Sequence, residues 1–460
     1  MNAHILNKNI LRKYDIRGII GVDLSYDDAV FIGMSIATIL IRKGIFSICV
    51  GRDGRLSSEK LRDSLVSGIT KCGVSVIDVG LVPTPCLYFS VYNLGQNAGV
   101  MITGSHNPKD YNGFKIMIKD EAFYGDSVLE IGKICESGAF LNSGRDASVS
   151  NVDISAKYID EITSFIDKSS VNVCIDAGNG ASGQIVTDVA KKIGIPQDNL
   201  LFCDIDGNFP NHHPDPTIEK NMKDLANLVI EKKADFGIGL DGDADRIGIV
   251  DDKGRFVYGD TLLCILSKFL LLEVPNATII SDVKASKVVF DEIKRLGGNG
   301  IMWQSGHSLI KDKMKKTGAA LAGEMSGHVF YKHGYYGYDD GIFAGMKLIE
   351  IVQKHKVKIS DLIDALPKTV TSPEITVKVD ESQKFEIMGK IIHDFKAKYT
   401  DFIDIDGIRV NFDFGWLLVR ASNTTNCLVI RFEADNSENL AKLFDTTHEV
   451  LNRYELNLKQ

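Results

Sequence analysis

The eight cysteines of this chain, at positions 49, 72, 86, 135, 174, 203, 264 and 427, include no CxxC pair. Neither a structural zinc site nor a disulfide framework is indicated. Cys49 and Cys174 fall in apolar strand-like runs, as buried thiols in a reducing cytoplasm do, and a cytoplasmic location is expected. Long apolar runs are missing too. The most apolar helix candidate, Leu262 to Leu272, is broken by Ser267-Lys268 and is too short to span a bilayer. Met1 to Gly18 lacks the apolar stretch of a signal peptide. Positive charge is also in deficit: 53 Lys and Arg face 61 Asp and Glu, a formal net charge of −8. That argues against a nucleic-acid partner held by overall charge. An anionic substrate is still allowed, because a local cluster of Arg and Lys can reverse the field inside a cleft. Neither a nucleic acid nor a membrane is expected as a partner.

What is present is an ordinary globular composition, 44% hydrophobic and 25% charged over 460 residues. That length is too great for one core, and roughly three or four domains are expected. Strand and helix signals alternate through residues 1–150. Ser47-Ile48-Cys49-Val50 runs into Gly51-Arg52-Asp53-Gly54, and a helical stretch carries Leu61, Leu65, Ile69 and Thr70. Val74 to Val79 then leads to Pro83-Thr84-Pro85. This alternation predicts a layered α/β domain. Ser137 to Ser150, rich in Ser, Asn, Gly and Asp, reads as a linker. A second α/β unit spans 151–252, from the strand Val171–Asp176 to the strand Asp235–Leu240. Ile247–Val250 meets Phe256-Val257 across a hairpin-like turn. A third unit, 253–366, holds a strand over Ala277–Val283, a helix over Lys284–Leu296 and a run Ala319–Ala322. The three units look like a diverged repeat without a clean period. Residues 367–460 differ. Glu374–Val379 alternates as a half-buried strand, and Asn436 or Ser437 can cap a last helix whose Leu440, Phe444, Thr447 and Leu451 share a face. The expected fold is therefore three mixed α/β domains and a smaller C-terminal α+β domain, whose loop closes over a cleft.

Four polar loops sit at strand ends. Thr103-Gly104-Ser105-His106-Asn107-Pro108 offers a hydroxyl where an α/β enzyme would place a reacting oxygen; alone, it also fits an ordinary Asn-Pro turn. A free hydroxyl is a poor nucleophile and needs activation. His106 can orient this loop or carry a proton, or it and Asn107 merely satisfy loop backbone. Asp241, Asp243 and Asp245 alternate, so in an extended segment they point the same way. A divalent cation relieves their repulsion, and all-oxygen ligands select Mg²⁺ over zinc. An EF-hand is excluded because Arg246 stands where that loop needs Gly. A solvated acidic turn is the plain alternative. Gly323-Glu324-Met325-Ser326-Gly327-His328 sets a carboxylate and a hydroxyl two residues apart, suited to vicinal sugar hydroxyls or to a capped turn. Arg420-Ala421-Ser422-Asn423-Thr424 combines guanidinium, hydroxyls and amides, as a phosphate nest does; it also fits a hairpin rich in turn formers. Arg17 is either a surface charge or a cleft cation. Lys115 follows the Ser105 loop closely enough to enter the same site, and a desolvated lysine near arginines can act as a general base. Together the loops suggest phosphoryl transfer on a sugar phosphate.

These loops, in this order, resemble the α-D-phosphohexomutase superfamily over nearly the whole chain. Within it, the Gly-Glu-Met-Ser-Gly-His loop is most similar to the bacterial phosphomannomutase/phosphoglucomutase group. Phosphoglucosamine mutases typically carry Gln where this chain has Met325. The resemblance implies four domains around a central cleft, a phosphoserine at Ser105, and one Mg²⁺ held by Asp241, Asp243, Asp245 and a phosphoryl oxygen on Ser105. It implies that Glu324 and Ser326 read the sugar hydroxyls at positions 3 and 4. Arg420, Ser422, Asn423 and Thr424 would hold the non-reacting phosphate, with Tyr14 and Lys284 nearby. Arg17, Lys115, His106 and His328 would handle charge and protons at the reacting phosphate, with Arg246 close by, and His307 would be a further cleft histidine. The implied activity is a phosphohexomutase that interconverts hexose 1- and 6-phosphates of mannose, glucose or both. The route is a reorienting hexose 1,6-bisphosphate, which also serves as activator; the enzyme is expected to be a monomer or weak homodimer. A phosphoglucosamine mutase and a catalytically inactive sugar-phosphate-binding relative are the alternatives. Two departures from close relatives stand out: Asn426 where they usually carry Pro, and Gln304-Ser305-Gly306-His307 in place of a Lys-Thr-Gly-His-like stretch.

Overall fold

Strands with unbroken apolar runs set the architecture, because a strand buried on both faces needs helices above and below it. In the computed structural model, which describes residues 3–119, 121–380, 382–422 and 426–458, four sheets follow one another along the chain. The first contains β1 (Ile16–Ile19), β2 (Ser47–Arg52), β3 (Ser75–Leu81), β4 (Ala98–Ile102), β5 (Tyr111–Ile118) and β6 (Val149–Asn151), in the order β1-β5-β4-β2-β3-β6. β2 runs parallel to β3 and β4, β6 is parallel to β3, and β5 is antiparallel to both β4 and β1. The helix Tyr26–Arg42 starts at a capping box in which Ser25 and Asp28 satisfy each other's backbone amides. It packs on the helix Ser58–Lys71 through glycines: a Cβ on Gly68 would stand 2.0 Å from the Val30 carbonyl oxygen. Leu61, Leu65 and Ile69 are buried on that second helix, as their spacing predicts.

The second sheet holds β7 (Val173–Asp176), β8 (Leu200–Leu201), β9 (Phe236–Leu240), β10 (Ile247–Asp251) and β11 (Phe256–Val257), ordered β11-β10-β9-β7-β8. The predicted hairpin is there, with Ile249 opposite Val257. The third holds β12 (Thr278–Asp282), β13 (Asn299–Trp303), β14 (Leu321–Gly323) and β15 (Val329–Tyr331), ordered β13-β12-β14-β15. These three sheets share one plan: a parallel core, then a final parallel strand that turns into an antiparallel neighbour, as β4 into β5, β9 into β10 and β14 into β15. Each polar loop of the first three units is that turn. The repeat is therefore one of topology, which leaves no sequence period to detect.

The C-terminal sheet is built from β16 (Val370–Thr371), β17 (Ile375–Lys378), β18 (Phe402–Ile403), β19 (Ile408–Phe412), β20 (Gly415–Ala421) and β21 (Cys427–Ala434). It is antiparallel throughout. Asn436 caps the last helix, Ser437–Asn452, through the Asn439 amide. One continuous core joins the helix Thr84–Asn93 of the first unit to the second and third sheets. The C-terminal unit has its own core, and Trp416 fills a small cluster with Val283 and Leu418. No described helix is long and apolar enough to cross a membrane.

Two sequence expectations need correction. The stretch 137–150 is no free linker. Ser143 donates to the Cys72 carbonyl, and Val149 pairs with Val76, so the stretch adds an edge strand to the first sheet. All three residues of that strand are exposed, and an exposed edge strand shows no apolar alternation. The helix expected to start at Lys284 starts at Lys287. Ser286 caps it through the Val288 amide, and this leaves Lys284 in a loop.

Candidate active site

Ser105 is almost fully buried and holds φ at +50°, a left-handed conformation uncommon for a residue with a Cβ. Such strain persists only where the surroundings over-determine it, and here they do. The Thr103 hydroxyl accepts from the Ser105 amide at 2.8 Å. The Arg55 guanidinium donates to the carbonyls of Ser105, Asn107, Pro108 and Tyr111, at 2.7, 2.6, 2.5 and 3.1 Å. Asp53 holds Arg55 at 3.2 Å and also accepts from the Gly104 amide. The Ser105 hydroxyl, so aimed, donates to Asp241 at 2.8 Å and lies 3.2 Å from His106 Nδ1. Burial, with the positive charges of Arg246, Arg17 and Lys115, holds the His106 ring well below its ordinary value, so it is neutral. Arg17 donates to the Asn107 side chain and pairs with Asp15.

Asp241, Asp243 and Asp245 are wholly buried, with ligand oxygens within 4.8 Å of one another. Gly242 brings this loop against the Ser105 loop: a Cβ there would stand 2.5 Å from the Ser105 carbonyl oxygen. Burial and the charges of Asp243 and Asp245 push the Asp241 carboxyl well above the usual range. Burial also opposes charge on Asp245, but Lys115 and His328 outweigh it and hold that carboxyl well below the range. Lys115 binds Asp243 at 2.7 Å and also Asp245, and Thr84 donates to Asp243 at 2.5 Å. Even so, Asp243 Oδ1 is buried without a hydrogen-bond partner among the described residues. Buried oxygens left in that state are costly, and an all-oxygen set with spare lone pairs fits Mg²⁺. With the three aspartates charged, Lys115 is held as an ammonium beside Asp243 and Asp245. Burial lowers its ammonium, but Asp243, Asp245 and Asp241 outweigh burial and raise it above its ordinary value.

The turn from β14 into β15 sets Glu324 and His328 side by side. Glu324 accepts from the Gly306 amide at 2.6 Å, and its other oxygen lies 3.3 Å from His328 Nδ1. Ser326 meets the same nitrogen at 3.0 Å. His328 Nε2 lies 3.4 Å from Asp245 and 3.3 Å from Arg246 Nε. Burial opposes a proton on His328, but Asp245 and Glu324 overcome it and push the ring up to about 9. His307 stacks on His328 with ring centres 5.7 Å apart. Burial and the neighbouring Lys311 lower the His307 ring. Asp339 holds both His307, at 3.4 Å, and Lys311, at 2.8 Å.

At the far end, Arg420 pairs with Asp406 at 3.0 Å, and Asp406 also accepts from the Ser305 amide at 3.2 Å. The Tyr14 hydroxyl donates to the Ser305 carbonyl at 2.7 Å. A chain of contacts thus runs from the first unit through the third to the fourth. Lys284 lies 3.4 Å from Glu374, whose carboxyl is lowered by the charges of Lys284 and, despite burial, of Arg420 and Arg431. The Ser422 amide donates to the Cys427 carbonyl at 2.9 Å. Asn423 and Thr424 lie outside the described residues.

The structure thus brings Ser105, His106, Arg17, Lys115, Arg246, His328 and the three aspartates together. Glu324, Ser326 and His307 adjoin them, and Tyr14, Lys284 and Arg420 gather beyond. Sequence reasoning missed Asp53, Arg55, Thr84, Asp339, Lys311 and Asp406. A signal existed for the first two: Gly51-Arg52-Asp53-Gly54-Arg55 follows a buried strand, as the four chosen loops do.

Four domain families match the chain in order: phosphoglucomutase/phosphomannomutase α/β/α domain I at residues 8–141, domain II at 156–254, domain III at 258–370 and the C-terminal domain at 374–450. The chain is 43% identical to the phosphoglucomutase of Neisseria gonorrhoeae over 444 residues, 95% of each protein. It is 43% identical to the phosphomannomutase/phosphoglucomutase of Pseudomonas aeruginosa over 445 residues, 96% of this chain and 95% of that protein. A crystal structure of a phosphoglucomutase/phosphomannomutase family protein from Burkholderia thailandensis superposes with a TM-score of 0.91 at 38% identity, covering 99% of this chain and 100% of that one. With matches to all four domains in sequence, this chain belongs to the phosphoglucomutase/phosphomannomutase family.

Proposed function

We propose that the protein is a phosphohexomutase that interconverts the 1- and 6-phosphates of mannose, glucose or both through a phosphorylated Ser105. The observation that carries this reading is the 2.8 Å contact of the Ser105 hydroxyl with Asp241, at the edge of a buried acidic triad and facing Lys115, Arg246 and Arg17. Asp241, Asp243 and Asp245 would hold Mg²⁺, with a phosphoryl oxygen on Ser105 as a further ligand. When bound, the ion supplies positive charge against the phosphoryl group in flight. Arg17, Lys115 and Arg246 add fixed positive charge around the same atoms. His328, raised against burial to about 9 by Asp245 and Glu324, exchanges the proton of the sugar oxygen: the cationic ring gives it, and the fraction of rings that are neutral takes it. Glu324 and Ser326 orient the ring by its hydroxyls. Arg420 and Ser422, with Lys284 and Tyr14 beside them, hold the phosphate that does not react.

The reaction has two halves. Phospho-Ser105 passes its phosphoryl to the free oxygen of a hexose monophosphate, and that oxygen loses its proton. The hexose 1,6-bisphosphate turns end for end, and its other phosphate returns to the Ser105 oxygen while the sugar oxygen regains a proton. Added hexose 1,6-bisphosphate charges unphosphorylated enzyme by the same second half. The test is steady-state turnover on glucose 1-phosphate, mannose 1-phosphate and glucosamine 1-phosphate, with Mg²⁺ and a trace of bisphosphate. Turnover of the first two, lost with EDTA and in Ser105→Ala, is expected. Preference for the amino sugar, or silence on all three, overturns the reading.

A further inference from the structure

Asp245 and Asp339 each keep one oxygen outside the lysine contacts, and that of Asp339 lies 3.4 Å from His307 Nδ1. Lys115 takes Asp245 Oδ2 and Lys311 takes Asp339 Oδ1, while Asp245 Oδ1 and Asp339 Oδ2 are buried without a hydrogen-bond partner among the described residues. Between them stands His328, whose Nε2 is 3.4 Å from the first oxygen and 4.0 Å from the second. Ligand atoms about 2.1 Å from a tetrahedral ion lie about 3.4 Å from one another, the spacing zinc prefers. Nδ1 of the same ring faces Glu324 Oε2 at 3.3 Å and Ser326 Oγ at 3.0 Å. A ring that donates from Nδ1 to a carboxylate presents Nε2 to a metal, which binds by displacing the Nε2 proton, and the outer carboxylate fixes the ring's orientation. A nitrogen among the ligands favours a borderline-soft ion over Mg²⁺.

We propose that Asp245 Oδ1, His328 Nε2 and Asp339 Oδ2 form a second cation site, distinct from the aspartate triad and suited to Zn²⁺, whose occupation inhibits the enzyme. Asp245 belongs to both sites: its Oδ2 meets Lys115, which also binds Asp243, while its Oδ1 lies 3.4 Å from His328 Nε2. Arg246, whose Nε is 3.3 Å from His328 Nε2, turns away when the ion enters. Inhibition follows because the ion takes the nitrogen that would otherwise exchange a proton with the sugar oxygen. That step rests on the role proposed for His328; the binding of Zn²⁺ does not.

The experiment is equilibrium dialysis of the full chain with Zn²⁺ at saturating Mg²⁺, paired with inhibition of turnover. Wild type is expected to keep about one Zn²⁺ per chain. Asp339→Asn and His328→Gln, both checked for native thermal unfolding, are expected to lose it. In Asp339→Asn the Zn²⁺ concentration for half-inhibition is expected to rise at least about tenfold. No Zn²⁺ retained by wild type overturns the proposal. So does Zn²⁺ that is retained equally by Asp339→Asn or displaced in proportion to Mg²⁺, because that ion sits in the triad. A mutase that binds Zn²⁺ as expected yet keeps full turnover refutes the inhibitory step and leaves the cation site standing. Loss of the mutase reading itself would show as absent turnover without any Zn²⁺.

Discussion

Replacing Arg55 with alanine removes the clamp under Ser105 without touching any group expected to meet substrate. The guanidinium serves four carbonyls and the Asp53 carboxylate in a site only 2% exposed. Each buried acceptor left without a donor costs about 1–3 kcal/mol. Water entering the hole left by the side chain recovers part of this. The sum falls near the 3–5 kcal/mol known for breaking one side of a buried ion pair, and about 4 kcal/mol is expected here. Part of that loss appears as a lower melting temperature. The rest lets the Ser105 backbone leave its φ of +50°; strain of that kind is worth on the order of 1–3 kcal/mol. Freed of it, Ser105 drifts from Asp241, and kcat is expected to fall about 10–100-fold. KM is expected to change little, because Arg55 meets only backbone and Asp53. Arg55→Lys, with one compact donor group, recovers part of the loss. Steady-state kinetics beside thermal unfolding reads both effects. A kcat within about twofold of wild type refutes the reasoning. A raised KM at unchanged kcat refutes it too, since that would make Arg55 a ligand of the phosphate.

Lys115 and a divalent cation compete for the same carboxylates, so Lys115→Met is expected to lower the melting temperature of Mg²⁺-free protein more than that of the Mg²⁺-loaded form; equal losses in differential scanning fluorimetry count against it. Asp243→Asn removes a proposed Mg²⁺ ligand and an ion-pair partner of Lys115 together, and turnover is expected to fall about 100–1000-fold at any Mg²⁺ concentration, since the loss of one preorganised charge contact costs roughly that. Asp340 caps the helix Gly341–His355 and accepts from Tyr158 and Tyr335. Burial outweighs these bonds and pushes its carboxyl up to about 6. A raised carboxyl favours folding below the unfolded value near 4 and loses that contribution as pH climbs through about 6, so above it the charge costs about 3 kcal/mol. Asp340→Asn keeps the cap and is expected to gain stability over wild type at pH 7.5 but not at pH 4; a pH-independent difference in urea midpoint refutes this. Tyr14→Phe loses the bond to Ser305 across two units, worth about 1 kcal/mol, and KM is expected to rise several-fold with kcat nearly unchanged.

The parts of the site that could be read in the sequence are those in which chemistry is packed into one contiguous string after a buried strand. Asp241 to Arg246 and Gly323 to His328 are of this kind, and each turns out to be the link from a parallel strand to its antiparallel neighbour. The unread residues arrive from elsewhere. Thr84 reaches Asp243 across 159 positions, and Arg55 reaches Ser105 across 50. Nothing local in either stretch announces the partner, and only the packing of one unit on the next supplies it. Lys115 could be placed beside the Ser105 loop but its charge state could not be read, because it depends on three carboxylates more than a hundred residues downstream. The edge strand Val149–Asn151 was unreadable for another reason: a fully exposed strand is held by backbone bonds alone, and its side chains carry no pattern.

Because each working loop belongs to a different sheet, a growing polypeptide assembles the site late. Asp241 is made 136 residues after the hydroxyl it binds. At 5–20 residues per second the ribosome needs roughly 7–27 s to cover that distance. Through that interval the first unit can complete its sheet and its Arg55 clamp while Ser105 still lacks a cation site, a proton carrier and a cover. A phosphoryl group accepted then would be open to water with no sugar to receive it. With the loops in this order, the site is complete only after the turn from β14 into β15 and the C-terminal unit have emerged.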